Sequence, residues 1–98
     1  MDVYAKLSKC GEHVLLAACD EEVLGQVLKQ GKIVFTIKEE FYKGPKIPLD
    51  DAVRLIEEST VVNLVGPNIV KKAIDKGLVH PEAVIEICGV PHAQIVKV

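Results

Sequence analysis

A chain of 98 residues with 49% hydrophobic and 27% charged side chains can bury a core of one domain, read as residues 1–98, and excludes whole-chain disorder. Its net charge of −2 is unpolarised, seven Lys meeting seven acids over 1–49 and five basic groups meeting seven acids over 50–98, so bulk charge argues neither for nucleic acid nor against it. The longest apolar run, Val14–Cys19, is too short for a membrane span, the start lacks a signal-peptide pattern, and three scattered cysteines suit reduced thiols; a cytoplasmic protein without membrane contact is expected.

Val3, Ala5 and Leu7 alternate with Tyr4, Lys6 and Ser8, the period of a half-buried strand. After Cys10-Gly11-Glu12 the apolar run from His13 to Ala18 completes a hairpin. Asp20 is a good N-cap, Glu21 and Glu22 suit a first turn and Gly31 a stop, so a helix is expected over 20–29 with Val23, Leu24, Val27 and Leu28 on one face. Lys32–Ile37 reads as a strand, and Glu39–Pro48, with two prolines and a glycine, as a loop. Asp50 is expected to cap a second helix, 50–58, with Ala52, Val53 and Ile56 inward and Asp50–Arg54 paired at i,i+4. Thr60–Leu64 either prolongs that helix or forms a strand; its β-branched residues favour the strand. Gly66-Pro67 opens a third helix, 67–76, whose stripe is Ile69, Val70, Ala73 and Ile74. His80-Pro81-Glu82 turns the chain into a strand over Ala83–Cys88, and Gly89-Val90-Pro91 joins it to a last strand. The fold class is α+β, in the order β-β-α-β-α-β-α-β-β, with a mixed or antiparallel sheet holding both terminal hairpins and covered mainly on one face.

Four stretches carry a resemblance: Cys19-Asp20-Glu21-Glu22-Val23-Leu24-Gly25, Glu40-Phe41-Tyr42-Lys43-Gly44, Val62-Asn63-Leu64-Val65-Gly66, and the tail Gly89-Val90-Pro91-His92-Ala93-Gln94. Together, in this order, they resemble a family of small archaeal proteins classed as domain of unknown function 424. The resemblance spans nearly the whole chain and implies an archaeal, cytoplasmic, single-domain protein. It implies no activity, cofactor or catalytic residue.

Five constellations could carry chemistry. His92 and Gln94 project from one face of the last strand after a rigid Gly-x-Pro turn, an acid–base group beside an orienting amide; a structural pairing of both is the commoner use. At Val65-Gly66-Pro67-Asn68 the helix start can hold an anion, with Asn68, Lys71 and Lys72 nearby, and Asn63, unusual within a strand, adds a hydrogen-bonding side chain. Every helix has such an end, so a plain start with solvated lysines is the bland alternative. Cys10-x-x-His13 and Cys88-x-x-x-His92 have ligand spacing, but Cys88 sits in an apolar strand, so no metal is expected. Cys19 activated by His92 and oriented by Asp20 would make a thiol enzyme, yet Cys19 also ends an apolar run and no oxyanion signature accompanies it. Finally, Tyr42 and Lys43 in the loop Phe41-Tyr42-Lys43-Gly44-Pro45-Lys46 could stack a base and hold a phosphate; alternatively Phe41 anchors the loop in the core.

The expectation is a binding module without cofactor rather than an enzyme. Its expected partner is RNA or a ribonucleoprotein, with a link to translation, through the 41–46 loop, Gly66 and the Lys71/Lys72 face. The alternative is a small enzyme or nucleotide- or anion-binding protein with a pocket around His92, Gln94 and Asn63. Convergence of those three in a cleft favours the pocket; an open lysine face with Tyr42 exposed favours RNA.

Overall fold

The computed structural model describes residues 1–98 and is α+β. The first hairpin is β1 (Asp2–Cys10) with β2 (His13–Asp20), paired from Val3↔Asp20 to Cys10↔His13 around Gly11 at φ +60°. A second, separate hairpin follows, β3 (Val27–Gln30) with β4 (Ile33–Thr36). Then come a one-turn helix α1 (Glu39–Tyr42), a short strand β5 (Lys46–Pro48), helix α2 (Leu49–Glu58), strand β6 (Val61–Val65), helix α3 (Pro67–Asp75) and a last hairpin, β7 (Ile85–Ile87) with β8 (Val90–Val96). Cys88 and Gly89, at φ +53° and +76°, form that last turn, both central residues being positive as a type I′ turn requires.

Six strands make one mixed sheet in the order β5-β1-β2-β6-β8-β7, antiparallel except for the central β2–β6 pair. Strand period two divides the side chains of this sheet between two faces. Val3, Ala5, Leu16, Ala18, Val62, Leu64 and Ala93 point to the first, where α2 and α3 close a core with Ala52, Ile56, Ile69, Val70 and Ala73. Ala17, Cys19 and Val65 point to the second, where the β3–β4 hairpin and α1 lay Leu28, Ile37 and Tyr42 over them. Both faces are therefore covered, where one was expected.

The helix expected over 20–29 does not form. A single 3-10 turn at Glu21–Val23 is followed by Gly25 at φ +83°, whose N–H donates to the Ile37 carbonyl at 2.8 Å, and the chain continues as β3. Val23, Leu24, Val27 and Leu28 follow helical spacing, but helices this short are marginal unless packing favours them, and here Val27 is left exposed. The would-be cap, Asp20, is also engaged elsewhere. The expected 39–48 loop contains α1 and β5 instead, β5 being held by Val3↔Ile47 pairing with β1. Asp50 does not cap α2, which Pro48 precedes without a side-chain cap; nor does it pair with Arg54, which meets Asp51 at 3.6 Å. Residues 61–65 are strand, as their β-branched side chains favour, and α3 ends one residue short of its expected bound.

Candidate functional site

On the second face, β6 and β8 run in the register Asn63↔Gln94 and Val65↔His92. Asn63, His92 and Gln94 thus share one face of two adjacent strands. Beside Asn63 on β2 stands Ala17, whose methyl leaves the amide uncrowded. The β3–β4 hairpin and α1 cover this face only in part. Between them and the sheet lies a cleft of about 490 Å³, lined by 11 residues of which 8 are hydrophobic. Its walls include Phe35, Tyr42, Ile85 and Ile87, and its polar groups are Asn63, His92 and Gln94; no lining residue carries a formal charge at neutral pH. Volume and lining are those of small-ligand sites, apolar walls with a few convergent hydrogen-bonding groups.

His92 is 8% exposed and meets the Phe35 ring edge-on, centroids 4.6 Å apart at 86°. Burial lowers its pKa from 6.5, so the ring is neutral at pH 7, with one nitrogen donating and the other accepting. Its Nε2 is buried with no hydrogen-bond partner in the protein. Such orphaned polar atoms are uncommon in folded chains.

The residues proposed for a thiol enzyme are not brought together. Cys19, Val65 and His92 form one row across three strands, so Cys19 and His92 stand two strand spacings apart, about 9.5 Å between backbones. Burial pushes the Cys19 thiol up to about 12, the neighbouring Asp20 adding to the effect. Cys19 faces the second layer while Asp20, next in the chain, faces the first. The four zinc-spaced residues are likewise separated: Cys10 and His13 close the β1–β2 turn at one end of the sheet, His92 lies roughly 20 Å along the strands and Cys88, at the other end, roughly 25–30 Å.

Asp20 has a different task. Its carboxylate, on a residue only 1% exposed, accepts hydrogen bonds from the Asn68 and Ile69 backbone N–H groups at 2.8 and 2.9 Å and from the Asn68 side-chain amide at 3.0 Å. It caps α3 from another strand. Gly66, at φ +123°, makes this possible, since a Cβ there would lie 2.5 Å from the Asp20 Cγ. The anion-binding start expected at Gly66 and Asn68 is therefore filled by the protein's own carboxylate. One signal in the sequence pointed to this: Gly66-Pro67 brings no capping side chain to α3, so its N–H groups need a partner from elsewhere. Burial, with the nearby Glu22 adding to it, holds the Asp20 carboxyl above its ordinary value, although the three hydrogen bonds pull it down.

The other expected RNA contacts also fall differently. Tyr42 is 5% exposed, its hydroxyl pushed up to about 12 by burial, and it lines the cleft instead of standing free for stacking; Phe41 is the exposed ring, at 39%. The two exchange the roles expected for them. Lys71 is paired with Asp75 at 3.0 Å and Lys72 with Asp50 at 3.1 Å, whereas Lys43 is exposed without an ion pair. Beside α3 a second groove of about 420 Å³ is walled by Pro67, Pro81 and Pro91, but its only charged groups, Lys71 and Glu86, do not converge with other polar side chains. Sequence reasoning missed Phe35, Ile85 and Ile87, whose apolar character marks a wall no differently from a core.

The family described as "Protein of unknown function (DUF424)" matches residues 8–98. The chain belongs to this family. The matched span contains every cleft residue. An uncharacterized conserved protein from Methanopyrus kandleri, seen in a crystal structure, is 30% identical, with a TM-score of 0.84 over 100% of this chain and 95% of that one. Among curated proteins nothing matches significantly. No helix of this DUF424 chain is long and apolar enough to cross a membrane.

Proposed function

We propose that this protein is a ligand-binding module whose cleft between the sheet and the β3–β4 hairpin takes an uncharged, planar, hydrogen-bonding group, a nucleobase being the chemical type that fits. The observation that carries this reading is the convergence of Asn63, His92 and Gln94 in a cleft with no charged lining residue. Each carboxamide offers both donors and an acceptor, and the neutral imidazole offers one of each. A base edge presents the same mixture, and its apolar faces suit walls made by Phe35, Ile85 and Ile87. A phosphate or carboxylate placed there would be desolvated without a counter-charge, which costs several kcal/mol.

Titration of the four common nucleosides, followed by two-dimensional NMR, tests the reading. At least one nucleoside should shift the side-chain amide signals of Asn63 and Gln94 at millimolar concentration. Asn63→Ala and Gln94→Ala should each weaken binding by about three- to tenfold, the worth of one or two neutral hydrogen bonds, with melting temperatures unchanged to within a few degrees. Unmoved amide signals with all four nucleosides would overturn it.

A further inference from the structure

The outer wall of the cleft is also the most basic part of the chain. Between Leu24 and Lys46, which contains β3, β4 and α1, five lysines meet two glutamates, a net of +3; as the whole chain carries −2, the remaining residues carry −5. Of these lysines only Lys46 is ion-paired, with Glu21 at 3.1 Å; Lys29, Lys32, Lys38 and Lys43 are exposed and unpaired. Lys38 and Lys43 bracket α1 as its two end positions, and between them Phe41 stands 39% exposed. Tyr42 braces that ring edge-on, at 4.9 Å between centroids and 79° between planes. An exposed aromatic flanked by unpaired lysines is the pairing of stacking platform and phosphate contact that single-stranded nucleic acid uses.

We infer that the base held in the cleft belongs to an unpaired nucleotide of a single-stranded nucleic acid, with a neighbouring base stacked on Phe41 and the intervening phosphates on Lys38 and Lys43. The inference rests on the cleft's accepting a nucleobase. Three features fit together in it. The uncharged cleft leaves the phosphates outside. The unpaired lysines lie on the elements that form its wall, and the negative remainder of the chain, where Asp75 and Asp50 already neutralise Lys71 and Lys72, steers a polyanion away from the helical face. A base can enter a cleft between hairpin and sheet only when it is out of a duplex stack, and a single strand presents one without the cost of unpairing. Glu39 and Glu40 on the same helix oppose the polyanion, which keeps the attraction local to the ends of α1.

Fluorescence anisotropy on labelled eight-nucleotide RNA and DNA single strands, beside nucleosides and mononucleotides as competitors, decides the matter. The oligonucleotides should bind at least tenfold more tightly than mononucleotides, and the RNA and DNA arms identify which polymer is preferred. Log affinity should fall linearly with log salt, and Lys38→Gln with Lys43→Gln should flatten that slope by about 1.4, two phosphates at about 0.7 each. Phe41→Ala should weaken binding roughly five- to 150-fold with the slope unchanged. Lys71→Gln with Lys72→Gln should change neither, and melting curves of all variants should match the wild type. Oligonucleotides that bind no better than mononucleotides, or a slope insensitive to Lys38 and Lys43, overturn the inference. If nucleosides still shift Asn63 and Gln94 in that case, the cleft reading survives it; if nothing binds, both fall.

Discussion

Replacing Asp20 with alanine removes the acceptor of three hydrogen bonds that join β2 to the start of α3. Two of the donors are backbone N–H groups with no intrahelical partner, and the one on Ile69 is buried. Leaving such a donor unpaired costs about 1–3 kcal/mol. The Asn68 N–H is only partly buried and can turn to water, so it belongs at the low end. Removal also recovers the desolvation that raises the Asp20 pKa. A net loss of about 3 kcal/mol follows, which for a domain of this size is a fall in Tm of about 12–24 °C. Gly66→Ala should destabilise by a similar amount, because its Cβ would strike the Asp20 side chain and its φ of +123° suits only glycine. The double variant should lose less than the sum, since without the carboxylate part of the clash disappears. Calorimetry of the four proteins measures all of this. An Asp20→Ala Tm within about 5 °C of wild type, or strict additivity, would refute the cross-strand cap.

His92, whose pKa is lowered in the fold, contributes stability that is complete above its unfolded value near 6.5 and is lost as pH falls through 6.5 toward the folded value. Wild-type Tm should therefore drop between pH 7.5 and 5.5 by more than that of His92→Gln, and parallel pH profiles for the two would count against a buried neutral imidazole. Iodoacetamide at pH 8 should label Cys10 and Cys88 rapidly and Cys19 only on unfolding, as mass spectrometry of the digested protein reports; fast labelling of native Cys19 would contradict its burial. Cys88 donates its N–H to the Gln30 side chain and its thiol to the Lys29 carbonyl, both at 2.8 Å, and so ties the β3–β4 hairpin to the β7–β8 turn. Cys88→Gly relieves the positive φ but breaks the thiol bond, so Tm should change little while amide hydrogen exchange across residues 27–36 quickens; unchanged exchange would show that the hairpin does not depend on this tie.

The first strand was legible because Val3, Ala5 and Leu7 alternate with polar residues, β6 because its residues are β-branched, and α3 because Gly66-Pro67 suits a helix start. The 20–30 stretch was not, because Val23, Leu24, Val27 and Leu28 follow helical spacing, and the deciding groups, the Ile37 carbonyl and α3's N–H groups, lie far along the chain. Asp20 looked like a cap and is one, for a helix 48 residues on. At the cleft, the last-strand pattern placed His92 and Gln94 on one face, and Asn63 stood out by its rarity in strands. That these three would meet depended on β6 pairing with β8, which no local pattern encodes. Phe41 and Tyr42 are adjacent and chemically alike, so only the packing of α1 against the sheet assigns one to the interior and the other to solvent.

The parallel β2–β6 pair at the centre of the sheet also governs the order in which the molecule can assemble. Each terminal hairpin closes over a two-residue turn, whereas Leu15 and Val61 lie 46 positions apart and meet only after everything between them has been made. Loop closure of that length is slow compared with hairpin formation. During synthesis from the N-terminus, the outer edge of β2 has no partner strand until β6 has left the ribosome. Leu16, Ala18 and their unpaired backbone amides stay open to other chains for that interval. The Asp20 bonds to α3 span 48 and 49 positions and wait for the same closure.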